Sequence, residues 1–126
     1  MPDIVILAVD DLARSRAFYT RALGLMPVIE TPVYIELTGG VGLYQREGFA
    51  RNTGVNTIPG PAGAGTTATE LYFRVPDLAA ACSRVEDLHA ALLSARSLRP
   101  WGEVVAYYAD PDGNVIALAA FAEGGT

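Results

Sequence analysis

The chain has 126 residues, about half of them apolar (51%) and relatively few charged (18%), enough for a globular core and unlike a disordered segment. The formal net charge is -5, every cation is an arginine, and no basic run could track phosphates, which sets nucleic acid aside as a partner. No apolar run reaches the roughly 18 residues of a membrane span.

Met1-Pro2-Asp3 shows no secretory leader, and a lone cysteine, Cys82, forms no internal disulfide. Both suit a cytoplasmic protein. One histidine, His89, is present, so any chemistry needing two imidazoles from one subunit is excluded.

Ile4–Val9 reads as a buried strand. Asp10 or Asp11 then caps a helix whose apolar stripe is Leu12, Phe18, Tyr19, Ala22 and Leu23, interrupted by Ser15 and stopped by Gly24. Three short strands follow, Met26–Glu30, Val33–Leu37 and Val41–Arg46, divided by Thr31-Pro32 and Gly39-Gly40. Residues 47–67 are rich in Gly, Pro, Thr and Asn and read as a linker or a flap.

The opening then recurs. Val9-Asp10-Asp11-Leu12-Ala13 returns as Val75-Pro76-Asp77-Leu78-Ala79, each at the end of a strand-like run and the start of a helix, which argues for an internal duplication. The second helix spans Asp77 to Asp87 or Leu88, and Cys82 packs inside it. Pattern alone leaves His89–Ala95 open between more helix and a short strand. Strands at Gly102–Ala109 and Val115–Phe121 flank the turn Asp110-Pro111-Asp112-Gly113-Asn114, in which Pro, Gly and the Asp side chains each favour the bend.

Val9-Asp10-Asp11-Leu12-Ala13-Arg14-Ser15-Arg16-Ala17-Phe18-Tyr19 with Leu23-Gly24-Leu25 resembles the first-module opening of the vicinal oxygen chelate superfamily, the glyoxalase/bleomycin resistance protein/dioxygenase family. Arg99-Pro100-Trp101-Gly102 followed by Asp110-Pro111-Asp112-Gly113-Asn114-Val115-Ile116 is similar to the end of its second module. The resemblance implies an α+β fold of two tandem βαβββ modules forming a curved mixed-sheet cup. Residues 1–46 would be the first module, 47–67 the linker or flap and 68–126 the second, with a short strand near Ala90–Leu93. It also implies a homodimer.

Enzymes of this family hold one divalent metal on strand side chains, two from each module, as a Lewis acid for substrate oxygens. Carried over by motif, those positions are Ile4, Gly42, Glu70 and Ala117. Three of the four have no donor atom, and one carboxylate does not hold a catalytic ion against water. The expectation is no metal and no cofactor.

Strand alternation sends Glu70, Tyr72 and Arg74 to the cup and Leu71, Phe73 and Val75 to the helices. Ile4, Ile6 and Ala8, then Gly42, Tyr44 and Arg46, then Val115, Ala117 and Ala119 would complete the lining. Such a surface suits a small aromatic or antibiotic-like molecule, with Glu70, Tyr72, Arg74, Tyr44, Arg46, Ile6 and Trp101 as ligand contacts. The structural alternatives are pairing of Glu70 with Arg74 or Arg46, packing or dimer roles for Tyr34, Tyr107 and Tyr108, and a purely structural turn for Trp101.

The leading expectation is therefore a metal-independent small-molecule binding protein. The alternative is a glyoxalase-like lyase or isomerase, or a dioxygenase-type enzyme, using Glu70 as base or an unrecognised metal site. The arginines near Glu70 oppose the raised pKa that such a base needs.

Overall fold

The computed structural model describes residues 3–53 and 69–122. The chain divides into two compact units, Met1–Ala62 and Gly63–Thr126.

The first unit runs β1 (Val5–Val9), α1 (Leu12–Leu23), β2 (Pro27–Glu30), β3 (Tyr34–Leu37), β4 (Val41–Gln45) and α2 (Arg46–Thr53). Its sheet has the order β1-β4-β3-β2, with β1 parallel to β4 and the other pairs antiparallel. A parallel pair needs a long crossover, and α1 with the β2–β3 pair supplies it.

Asp11, in extended conformation, caps α1 by accepting the amide of Arg14 at 3.0 Å. Gly24 ends the helix at φ 70°, a left-handed position that glycine occupies without Cβ strain. Ser15, read as a gap in the apolar stripe, is fully buried beside Phe18, Tyr19 and Ala22. Leu7, Val9, Ile35, Leu37, Val41 and Leu43 are the buried apolar side chains on the strands of this unit.

The second unit repeats the plan with β5 (Glu70–Arg74), α3 (Leu78–Asp87), β6 (Ala91–Leu98), β7 (Glu103–Ala109) and β8 (Val115–Phe121). The order is β5-β8-β7-β6, with β5 parallel to β8. Asp77 caps α3 as Asp11 caps α1: its side chain accepts the amide of Ala80 at 3.1 Å, and its backbone angles (-134°, 96°) nearly repeat those of Asp11 (-127°, 103°). The duplicated motif is thus a duplicated cap. Cys82 is buried and free, with Ala81 and Val85 beside it on the helix.

Two expectations change. Segment 47–67 does not start as a linker, because α2 occupies Arg46–Thr53 and its first-turn Gly48 amide donates to the Gln45 side chain at 2.9 Å. The remainder of that segment lies outside the described residues. The uncertain stretch after α3 is an eight-residue strand, β6, longer than Ala90–Leu93 and on the outer edge of its sheet. It begins after His89, which holds φ 61° where the helix turns off.

Candidate functional site

In the second unit the register pairs Glu70, Tyr72 and Arg74 with Val115, Ala117 and Ala119. The next strand places Ala109, Tyr107, Val105 and Glu103 opposite Val115, Ala117, Ala119 and Phe121. All of these side chains therefore share one sheet face, since alternate residues point the same way. The other face meets α3: the fully buried Tyr108 donates its hydroxyl to Glu86 at 2.5 Å. Burial, with help from Glu86 and Cys82, pushes the Tyr108 phenol far above its ordinary pKa.

The Tyr72 face is small and apolar at its middle, where Val105, Ala117 and Ala119 are buried and Tyr72 and Tyr107 pack upon them. At one end lies a polar cluster. Glu103, with its side chain only 3% exposed, accepts Arg74 Nε at 2.9 Å and Arg74 Nη2 at 3.2 Å. It also accepts the Tyr72 hydroxyl at 2.8 Å. Trp101, itself exposed, donates Nε1–H to that hydroxyl at 3.0 Å. The Arg74 guanidinium lies 5.3 Å from the Tyr72 ring centre, within cation–π range.

The electrostatics follow from these bonds. Arg74, chiefly by hydrogen bonding, holds the Glu103 carboxyl below its ordinary value against the opposing effect of burial, and Tyr72 adds to the lowering. Burial foremost, with Glu103 contributing, pushes the Tyr72 phenol up, against the hydrogen bond from Trp101. An ionised carboxylate bonded at both oxygens and a phenol held protonated are both placed away from neutral proton transfer. They are well suited to holding shape.

A second guanidinium sits on the same face. Arg99 lies 5.0 Å from the Tyr107 ring centre and donates Nη2 to Val105 O at 2.9 Å, Ser94 Oγ at 3.1 Å and Ala95 O at 3.1 Å.

In the first unit, Ile6 and Ala8 pair with Gly42 and Tyr44, and Glu36 and Tyr34 pair with the same two residues from the other side. These six share the face turned away from Leu7, Val9, Ile35 and Leu43. Tyr34 donates its hydroxyl to Glu36 at 2.9 Å, and burial first, then Glu36, raises its pKa. Its ring lies 5.4 Å from that of Tyr44, which meets Phe49 of α2 edge-on at 6.0 Å.

Gly42 is the position that decides metal fit here. A Cβ built on it would lie 2.8 Å from Tyr34 Oη, 2.9 Å from Tyr34 Cε1 and 3.1 Å from Ile6 Cγ1. The space of a first-module ligand side chain is thus filled by Tyr34 and Ile6. With Ile4, Gly42 and Ala117 offering no donor, the four family positions do not fit a divalent ion. Among the described residues no three His, Cys, Asp or Glu side chains group as metal ligands.

Of the expected contacts, Tyr72, Arg74 and Trp101 are joined with Glu103 in one cluster, and Glu70 lies exposed on the same face, its side chain making no hydrogen bond among the described residues. Ile6 and Tyr44 share the corresponding face of the first unit. Arg46 departs from expectation. Strand β4 ends at Gln45, so Arg46 opens α2, and its Nε donates to Asp10 at 2.5 Å instead of lining the sheet. The expected pairing of Glu70 with Arg74 does not form, because Arg74 is taken by Glu103. Tyr107, read as a packing or dimer residue, belongs to the Tyr72 face. Asp110 and Asp112 are turn residues as expected: Asp110 Oδ1 accepts the amides of Asp112 at 2.9 Å and Asn114 at 2.8 Å.

Two βαβββ units, each with a parallel outer pair closed by a helix, and a polar–aromatic cluster on the helix-free sheet face define a class: the two-module α+β proteins of the vicinal oxygen chelate superfamily. The glyoxalase-like domain family model matches residues 3–122, and the chain belongs to that family. The fold is similar to that of a glyoxalase-related enzyme from Fulvimarina pelagi, at 24% identity over 95% of this chain and 87% of that one, with TM-score 0.82. It is also similar to a glyoxalase/bleomycin resistance protein/dioxygenase from Nocardioides (22% identity, 100% and 86% covered, TM-score 0.78). A lactoylglutathione lyase from Agrobacterium tumefaciens matches at 23% identity, with 95% and 92% covered and TM-score 0.70. No curated protein matches. Identities at this level establish the shared fold and leave chemistry to the residues.

Proposed function

We propose that the chain is a metal-independent small-molecule binding protein, taking a small aromatic or antibiotic-like ligand on the Tyr72 face of its second module. The observation that carries this reading is the Trp101–Tyr72–Glu103–Arg74 cluster, rigidly bonded at the edge of an apolar patch of Val105, Ala117 and Ala119. Apolar ground with a few fixed polar groups is the ordinary make-up of a ligand site. The donorless residues at Ile4, Gly42 and Ala117 support metal independence.

An enzyme role for Glu70 gains nothing from its surroundings: it is exposed, and no hydrogen bond among the described residues orients it. A homodimer and a cytoplasmic location belong to the same proposal. Exposed Leu92, Leu93 and Leu98 on outer strand β6 support the first, and the free, buried Cys82 the second. No helix among the described residues is long and apolar enough to cross a membrane.

Trp101 is the chain's only tryptophan, so its emission reports on this cluster alone. Titration of small aromatic compounds and antibiotics, excited at the indole edge, should give saturable changes with at least one compound class. Those changes should vanish in Tyr72→Ala. A flat response across the series would remove the reading, and light scattering showing a mass of 13.3 kDa would remove the dimer.

A further inference from the structure

We infer that the ligand carries a planar anionic group, a carboxylate, and that the outer edge of Arg74 receives it. This rests on the binding reading above and names the chemistry the same face selects.

A guanidinium has five N–H donors arranged as two usable forks. Glu103 takes the inner fork, Nε with Nη2, at 2.9 Å and 3.2 Å. The end-on fork, Nη1 with the second hydrogen of Nη2, makes no hydrogen bond among the described residues, and the side chain is 66% exposed. The group is nevertheless held still, because its partner Glu103 is buried and the Tyr72 ring lies against it. A fixed, solvent-facing fork matches the two oxygens of a carboxylate, and little rotamer freedom remains to be lost on binding.

The surroundings select for a ring attached to that carboxylate. Trp101 is exposed and anchored by its Nε1–H bond to the Tyr72 hydroxyl, which in turn bonds the Glu103 that holds Arg74, so an exposed indole belongs to the same cluster. Glu103 and Arg74 cancel each other's charge, so the cluster does not draw anions by net field. Discrimination must come from fork geometry.

The test compares benzoate with benzamide, which share ring and shape and differ in charge, by Trp101 emission in the wild type and in Arg74→Lys. The wild type should bind benzoate about tenfold more tightly, the scale of a charge-assisted hydrogen bond. Arg74→Lys keeps the charge and loses the fork, so the preference should fall below about threefold with benzamide affinity unchanged. Equal affinities in the wild type would overturn the carboxylate inference and leave ring binding standing. A preference that persists in Arg74→Lys would assign the anion to another cation, Arg99 being on the same face, and would also overturn it. Silence with both probes would remove this inference together with the aromatic reading of the site. Should Arg74→Lys fail to fold, Arg99→Lys decides in its place: the benzoate preference should persist there, and its loss would assign the anion to Arg99 and overturn the inference.

Discussion

Gly42 and Tyr34 are diagonal neighbours across β3 and β4, and the Tyr34 ring reaches over so closely that a methyl group on Gly42 would come within 2.8 Å of its hydroxyl oxygen. The ring cannot swing away freely, since Tyr44 packs on it and Glu36 holds its hydroxyl at 2.9 Å. Gly42→Ala should therefore destabilise the protein by about 1–3 kcal/mol, the usual cost of overpacking. Denaturant unfolding measures this, and combining Gly42→Ala with Tyr34→Leu should recover part of the loss. An additive double variant would mean that Tyr34 is not what excludes a side chain there.

Glu103 gives the second prediction through pH. Its folded pKa lies below the ordinary 4.5, chiefly because Arg74 bonds to the carboxylate. The contribution is fully present above the unfolded value and is lost as pH falls through the lower folded value. Thermal stability should therefore drop on acidification below about 4.5, and Glu103→Gln should show a shallower acid slope than the wild type. Identical slopes would show that the bond to Arg74 does not favour the ionised form.

His89 occupies φ 61° at the end of α3, where the first module uses Gly24 at φ 70°. A side chain in this region costs roughly 1 kcal/mol or somewhat more relative to glycine. His89→Gly should raise stability by up to about 1 kcal/mol, less the greater freedom glycine gains in the unfolded chain. The melting temperature reads this directly, and a clear loss would mean that the imidazole itself contributes to the turn.

Much of the fold was legible because its punctuation is local. Asp11 and Asp77 cap, Gly24 stops, and Asp110 through Asn114 turn, each through bonds within a few residues. Helix α2 was not, since Arg46–Thr53 contains Gly48, Asn52 and Thr53, poor helix formers, and is capped by a glutamine side chain. What fixes it is tertiary: Phe49 against Tyr44, and a Gly48 small enough to pass that ring.

The candidate site was legible by half. Glu70, Tyr72 and Arg74 follow from one clean alternation on β5. Glu103 does not, because Glu103-Val104-Val105-Ala106-Tyr107-Tyr108-Ala109 carries apolar or aromatic residues on both faces, leaving its phase open without the pairing to β8. Arg46 was misplaced for a simpler reason: the strand ends one residue before it.

The ligand face we propose works without a metal. The measurement that bears on it most directly is the melting temperature of chelator-stripped protein with Mn²⁺, Ni²⁺, Zn²⁺ or Fe²⁺ restored singly. An ion bound only by the native state at 100 times its dissociation constant would add about 2.7 kcal/mol, an easily read upward shift. No shift with any of the four is the predicted result. A reproducible, saturable rise with one of them would contradict it and would mean that side chains other than Ile4, Gly42 and Ala117 complete a metal centre with Glu70.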